Sequence, residues 1–162
     1  MRQGDFERLY QEHAQRLFGF LAYRTGDRDL AEDLLADTFE AAYRARARFD
    51  RRRASERTWL YAIALNLLRD HARRVGAEAR AVDRVRTGVT EGSTDPGLEH
   101  VLERDGLLAA LDVLSDEERE TVALRFGADL PLKEIAAATG ESMTTVEGRL
   151  YRALRKLREQ LA

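Results

Sequence analysis

The stretch from Leu132 to Leu161, LKEIAAATGESMTTVEGRLYRALRKLREQL, decides the fold of the region around it. It predicts two helices joined at Gly140, because glycine readily adopts the positive φ at which many helices end. Pro131 stands just before the first helix, and the hydroxyl of Ser142 can cap the second. A proline, a turn glycine and a serine cap at these positions predict a helix-turn-helix.

The second helix of the pair has an apolar face and a cationic face. Apolar residues recur at helical spacing at Val146, Leu150, Leu154, Leu157 and Leu161. The opposite face carries Thr144, Thr145, Gly148, Arg149, Arg152 and Arg155. The N-terminal residues of a recognition helix meet base edges in the major groove. An ordinary amphipathic helix with a solvated basic face is the alternative, but the proline, glycine and cap at helix-turn-helix offsets favour DNA binding.

Length and composition limit the possible classes of protein. The 162 residues support one domain or two small ones, and a hydrophobic share of 44% is enough for helical cores. The absence of cysteine excludes disulfides and thiolate chemistry and fits a reducing cytosol. No apolar run reaches the length of a membrane span, and no signal-peptide core follows Met1. We therefore expect a soluble, cytoplasmic protein without membrane insertion.

Charge is segregated into blocks, although the net charge is only −2. Residues 27–43 contain six acids and one arginine, whereas residues 44–57 contain seven arginines and two acids. Residues 149–158 contain five cations and no acid. Such a chain can present basic surfaces to phosphates and an acidic surface to a protein partner.

Helical periodicity divides the chain into two parts. A first amphipathic helix should end near Gly26, and a second should run from about Asp29 to Phe49. Ser55 can cap a third, from Glu56 to about Val75, whose segment WLYAIALNLL is apolar nearly all round. A helix of that kind is deeply packed, so the three helices are expected to share one core.

The pattern dissolves after Gly76 and returns at Pro96. The intervening residues contain Gly88, Gly92, Ser93 and Thr94 and no sustained apolar period, which predicts a linker. Ser115 and Glu118 form a capping box for a helix that should extend to about Phe126. We therefore predict an all-α chain of two small helical domains joined by a flexible linker. The predicted boundaries are 1–76, 77–96 and 97–162.

Three segments in order resemble one family across nearly the full length. They are AEDLLADTFEAAYRA at 31–45, WLYAIALNLLRDHARR at 59–74 and LKEIAAATGESMTTVEGRLYRALRKL at 132–157. The chain resembles an extracytoplasmic-function sigma factor, the minimal bacterial sigma factor in which only regions 2 and 4 remain. The resemblance implies binding to core RNA polymerase and to promoter DNA at the minus-ten and minus-thirty-five elements. It also implies help in opening the duplex.

The acidic second helix is the expected polymerase-binding element. In the family this helix docks on the clamp helices of the largest polymerase subunit. The resemblance implies this role for Asp29, Leu30, Glu32, Asp33, Leu34, Asp37 and Phe39. Opposed charge would speed the encounter and set its register, whereas the alternative is a solvated acidic face over a core stripe. Ala36 departs from the family, which often has glutamine there.

The third helix is the expected reader of the minus-ten element. Asn66 aligns with the family position that reads a flipped base, and an amide can donate and accept at a base edge. Trp59 and Tyr61 could stack on separated bases, although the apolar neighbours of Trp59 favour a place in the core. Strand phosphates are the expected ligands of Arg57, Arg69, Arg73 and Arg74. Packing on the helix surface is the alternative for Asn66.

The second helix of the helix-turn-helix is the expected reader of the minus-thirty-five element. Family arginines match Arg149 and Arg152, and the implied surface also includes Thr144, Thr145, Tyr151 and Arg155. Glu147 stands where the family usually has lysine or arginine, and Gly148 where it usually has serine. A glutamate can accept from cytosine but repels phosphates, so either the promoter sequence differs or region 4 binds DNA weakly.

Two other classes of protein fit the sequence less well. A stand-alone helix-turn-helix regulator would leave the acidic helix and the WLYAIALN helix without a task. An enzyme is disfavoured because the sequence has no nucleotide-binding glycine loop, no metal-ligand cluster and no nucleophile arrangement, so we expect no cofactor and no metal. The family resemblance further implies an anti-sigma factor that restrains the free protein by covering its polymerase-binding surface.

Overall fold

The computed structural model describes residues 1–82 and 110–161, with side chains for 1–76 and 110–161. Most of the predicted linker, and most of the helical segment predicted from Pro96 to Leu114, lie outside the described residues. The helices are α1 (Gln3–Thr25), α2 (Arg28–Ala45), α3 (Glu56–Val82), α4 (Asp116–Val122), α5 (Leu132–Thr139) and α6 (Met143–Leu161). A 3-10 turn at Arg46–Arg48 follows α2, and a π-helical turn at Ala123–Gly127 follows α4. The prediction of an all-α chain with two helical domains is confirmed.

A short connection at Gly26 and Asp27 joins α1 to α2. Gly26 adopts a φ of 67°, so it ends α1 as predicted. The Asp27 side chain accepts hydrogen bonds from the backbone N–H groups of Asp29 at 3.0 Å and Leu30 at 3.2 Å. Asp27, one of the acids of residues 27–43, is therefore the N-cap of α2.

The bounds of α2 and α3 differ from the prediction at their C-terminal ends. The second helix ends at Ala45 rather than Phe49, because the backbone tightens into the 3-10 turn. The hydroxyl of Ser55 accepts from the Thr58 N–H at 3.0 Å, which confirms the predicted cap of α3. This helix continues past Gly76, since one glycine costs a helix only about 1 kcal/mol and residues 77–82 are mostly good helix formers.

In the C-terminal half, the predicted helix caps and the predicted turn glycine are confirmed. Ser115 and Glu118 form the reciprocal capping box of α4. Gly140 has a φ of 73° between α5 and α6, and the Ser142 hydroxyl accepts from the Thr145 N–H at 3.2 Å. The helix-turn-helix is thus built from the local signals that the sequence carries.

The apolar stripe of α6 is only partly as predicted. Val146 and Leu150 are buried, but Leu154 is 37% exposed and Leu161 is 60% exposed. The fully buried Ala153 takes an inward position instead and packs with Leu111 and Leu114.

The two halves share a hydrophobic core. One cluster of buried residues includes Leu21 and Leu65 from the first half together with Leu124 and Ile135 from the second. Helix α5 packs against α3, and the π-helical turn packs against α1. Tyr23 of α1 also packs against the apolar cluster around Ala153. The predicted pair of domains therefore lies closely joined in this structure.

Candidate nucleic-acid interface

The exposed face of α6 carries most of the predicted minus-thirty-five residues. Thr144, Thr145, Glu147, Tyr151, Arg152 and Arg155 are all exposed. Tyr151, the single aromatic residue of α6, is 73% exposed. The Thr145 hydroxyl accepts from Ser142 at 2.8 Å, so it takes part in capping the helix as well. The face offers hydroxyls, an aromatic ring and cations, together with one carboxylate.

Arg149 does not lie on that open face. Its guanidinium donates to both carboxylate oxygens of Glu141, at 2.8 and 2.5 Å, and its side chain is only 13% exposed. It also donates to the Thr121 hydroxyl on α4 at 3.5 Å. The predicted contact of Arg149 with DNA does not fit this arrangement. The Arg149 guanidinium is already hydrogen-bonded within the protein, where it joins α6 to the preceding turn and to α4.

The hydrogen bonds between Arg149 and Glu141 shift the pKa values of both side chains. The bond from Arg149 lowers the pKa of Glu141, and the bond to Glu141 raises the pKa of Arg149. A second brace joins α4 to α6, where the Lys156 ammonium donates to Glu118 at 2.8 Å. Burial raises the pKa of Glu118, but hydrogen bonds from Lys156 and Ser115 outweigh it and lower that pKa.

The lowered pKa of Glu141 predicts a loss of stability in acid. The carboxylate stabilises the fold above its ordinary pKa of 4.5, and that contribution is lost as the pH falls through the lower folded pKa. Replacing Glu141→Gln should lower the free energy of unfolding at pH 7 by about 2 kcal/mol and flatten its fall in acid. Denaturant unfolding from pH 7 to pH 3 measures both effects. Glu147→Gln, on the exposed face of α6, is the matched control, and equal pH profiles for the two variants would contradict the brace.

Gly148 lies within α6, where a side chain has room. A Cβ added there would lie 3.4 Å from Nη1 of the flexible Arg152 side chain, which is ordinary contact. Because glycine is a poor helix former, Gly148→Ala should raise the free energy of unfolding by about 1 kcal/mol. The expected rise in melting temperature is about 2–4 °C in a thermal scan. The contrasting variant Gly140→Ala should lower the melting temperature, since Gly140 has a positive φ. A higher melting temperature in both variants would contradict this explanation.

The minus-ten residues predicted on α3 separate into exposed and buried groups. Asn66 is exposed. Trp59 is half-buried and packs against Phe49 at a ring distance of 4.9 Å, as its apolar neighbours predicted. Tyr61 is only 1% exposed, and burial raises its pKa to about 12. The prediction that Tyr61 stacks on bases does not fit this arrangement, because the ring lies in the core beside Phe20.

The four predicted phosphate-binding arginines of α3 also differ in their surroundings. Arg73 and Arg74 are exposed, and Arg73 pairs with Asp70 one turn away. The Arg57 guanidinium lies 3.1 Å from a carboxylate oxygen of Glu134 on α5. That of Arg69 lies 3.6 Å from a carboxylate oxygen of Glu120 on α4.

The predicted polymerase-binding set on α2 divides by burial. The carboxylates of Asp29, Glu32, Asp33 and Asp37 are exposed. Leu34 and Phe39 are buried in the core, so neither is free to touch a partner, and Leu30 is half-buried. The acidic face thus covers a core stripe, because apolar residues at helical spacing turn inward once α1 and α3 pack against the helix.

Sequence reasoning missed the acidic partners of these arginines. Glu120, Glu134 and Glu141 were not singled out, although each lies among cations in the folded chain. Only for Glu141 does the sequence offer a signal, since it directly follows the turn glycine and precedes Arg149 by about two helical turns. The other two partners are distant in sequence.

Known families match both halves of the chain. Sigma-70 region 2 matches residues 9–78, and Sigma-70 region 4 matches residues 110–159. The RNA polymerase sigma factor CarQ of Myxococcus xanthus is 37% identical over 165 residues, covering 98% of this chain and 90% of CarQ. The chain belongs to the extracytoplasmic-function sigma factors. Another relative is the sigma factor BldN of Streptomyces coelicolor, 30% identical over 154 residues; the match covers 94% of this chain but spans 58% of BldN.

Solved structures of sigma factors resemble this fold. RpoE of Bartonella quintana, in complex with the anti-sigma factor NepR, has a TM-score of 0.76 and 26% identity. That match covers 97% of this chain and 96% of RpoE. CnrH, in complex with the cytosolic domain of CnrY, has a TM-score of 0.71 and 29% identity over 99% of this chain and 89% of CnrH.

Membership in this family decides between a sigma factor and a stand-alone regulator. A sigma factor with regions 2 and 4 directs transcription initiation, which excludes the stand-alone helix-turn-helix regulator. Sigma factors are DNA-recognition subunits of RNA polymerase and are not themselves enzymes. Within residues 1–82 and 110–161, no helix is both long and apolar enough to cross a bilayer.

Proposed function

We propose that this sigma factor binds core RNA polymerase in the cytoplasm and distributes three tasks over three helices. The observation that carries the proposal is that one chain exposes an acidic face on α2, an amide on α3 and a cationic face on α6. Because α2 buries its apolar stripe, the docking contact is assigned to its carboxylates, Asp29, Glu32, Asp33 and Asp37. Such a face steers a basic partner surface by charge.

Promoter recognition is assigned to α3 and α6. Asn66 would read an unpaired minus-ten base, because its exposed amide can donate to and accept from a base edge. On α6, the N-terminal threonines together with Tyr151 and Arg152 would meet the minus-thirty-five element in the major groove. Arg73, Arg74 and Arg155 are exposed and suited to phosphates, a contribution that does not depend on sequence.

The proposal extends to a restraining partner. RpoE and CnrH were both solved with a second protein, which is the anti-sigma factor NepR in the case of RpoE. We assign a partner of that kind to this chain, with the acidic face of α2 inside its footprint. If pull-downs from uninduced cells recover polymerase alone, the restraint must lie in synthesis or degradation instead.

Transcription in vitro with purified core polymerase tests the main assignment. The wild-type chain should direct specific initiation, and start sites mapped on genomic DNA should reveal its promoter sequence. Reversing two exposed charges, Asp33→Lys with Asp37→Lys, should abolish core binding and transcription together. Glu7→Lys with Glu159→Lys makes the same change of charge at exposed positions outside the predicted interfaces and should leave both intact. Equal loss in both double variants would remove the docking role from α2.

A further inference from the structure

Two carboxylates of the C-terminal half lie against cations of the N-terminal half. Glu134 on α5 accepts from Arg57 at 3.1 Å through one oxygen and from the Ser55 hydroxyl at 3.3 Å through the other. Glu120 on α4 accepts from Arg24 at 3.3 Å and lies 3.6 Å from Arg69. Both contacts cross between halves of the chain that are far apart in sequence.

These pairs are shielded more than ordinary surface ion pairs. The Glu120 side chain is 12% exposed, and the Arg57 and Glu134 side chains are 29% and 26% exposed. Arg69 is more open, with 41% of its side chain exposed. Packing of α5 against α3 holds Glu134 in place, so the pair does not depend on two freely moving side chains. Exposed pairs contribute little because they lose side-chain entropy and are screened, and both losses are smaller here.

A carboxylate offers an arginine the same kind of partner as a phosphate does. Both present anionic oxygens to the planar guanidinium, and one guanidinium does not satisfy both fully at once. We propose that Glu120 and Glu134 form a carboxylate latch that masks Arg57 and Arg69 from strand phosphates in the free sigma factor. This inference rests on the phosphate-binding role that the sequence predicts for the two arginines.

The latch has a direct consequence for the order of events. While α5 lies against α3, Arg73 and Arg74 are exposed, whereas Arg57 is paired with Glu134 and the 41% exposed Arg69 lies 3.6 Å from Glu120. Separation of the two halves breaks both pairs together and frees both cations. Binding to single-stranded DNA is therefore weak before the halves separate and strengthens once they do.

Single-stranded DNA binding by the full chain tests the latch, because phosphate contacts do not depend on promoter sequence. The probe is a fluorescently labelled oligo(dT), followed by anisotropy over a range of salt. Glu120→Gln with Glu134→Gln should tighten binding and steepen the log–log salt dependence by about 1.4, since each phosphate contact on a single strand contributes about 0.7. The single variant Glu134→Gln should give about half of that increase, and it remains informative if the change at buried Glu120 disturbs folding.

A control separates the latch from a general change of charge. Glu7→Gln with Glu159→Gln removes the same two negative charges at exposed positions and should leave the slope at the wild-type value. Adding Arg57→Gln and Arg69→Gln to the variant Glu120→Gln with Glu134→Gln, called the released variant, should abolish the gain in DNA binding. An equal gain in the Glu7 and Glu159 variant would overturn the proposal.

Domain separation is followed independently of DNA. Because the chain has no cysteine, dyes can be placed at Gln11→Cys and Gln160→Cys for energy transfer. The released variant should show lower transfer than wild type. Unchanged transfer with unchanged binding overturns the latch and leaves the proposed role of the arginines intact. Lower transfer without a steeper salt slope shows that the arginines do not bind phosphate, which overturns both.

Discussion

Asn66→Ala is expected to reduce open-complex formation by about 5- to 150-fold, because a well-placed amide contributes about 1–3 kcal/mol of base discrimination. The side chain is exposed on α3, so its removal should leave the fold and the binding of core polymerase unchanged. Permanganate footprinting of the melted region, on a promoter identified by transcription in vitro, measures the effect. Core binding is measured separately by size-exclusion chromatography.

An exposed amide elsewhere supplies the matched control. Gln15→Ala removes an amide from the exposed surface of α1 and should leave permanganate reactivity at the wild-type level. If Asn66→Ala behaves in the same way as this control, the reading of the minus-ten base does not depend on Asn66. The assignment would then have to move to another exposed group of α3 or of the loop before it.

Glu147→Lys is expected to tighten binding to duplex DNA carrying the minus-thirty-five element. Glu147 is exposed on α6 at one helical turn from Thr144 and from Tyr151, so its carboxylate faces the region that DNA would occupy. Reversal of its charge should steepen the log–log salt dependence by about one unit, the increment for one added phosphate contact. The measurement is a salt titration with the full chain, because the two halves share a core.

The control for this reversal lies on the same helix. Glu159→Lys makes an identical change of charge at an exposed position near the other end of α6 and should alter the slope much less. Weaker binding by Glu147→Lys would instead assign the carboxylate a favourable contact, such as acceptance from the amino group of a cytosine. In that case the promoter of this sigma factor departs from the sequence usual in the family.

Local chemistry explains which elements were predictable. Ser55, Ser115 and Ser142 cap their helices as expected, because each hydroxyl accepts from a backbone N–H only three residues further along the chain. Gly26 and Gly140 end theirs for the same kind of local reason. The family motifs likewise lie in contiguous segments, so the sigma-factor interpretation could be reached without any tertiary contact.

The site predictions that do not fit the structure concern side chains whose surroundings come from distant residues. Tyr61, Leu34 and Phe39 belong to surfaces in the family motif but are buried here, because neighbouring helices cover that side of each one. Arg149 belongs to a cationic helix face, yet Glu141 and Thr121 take up its guanidinium. Helical periodicity identifies a face but does not identify what lies opposite it.

By itself the sequence determined the helices, their caps, the helix-turn-helix and the family, since each depends on residues close together along the chain. Only the tertiary structure decided which of the predicted site residues remain open to a partner. Asn66 is exposed, whereas Arg57 and Arg69 face Glu134 and Glu120 across the two halves. The physical reason is that burial and ion pairing depend on helices brought together by a shared core, and such contacts join residues separated by dozens of positions.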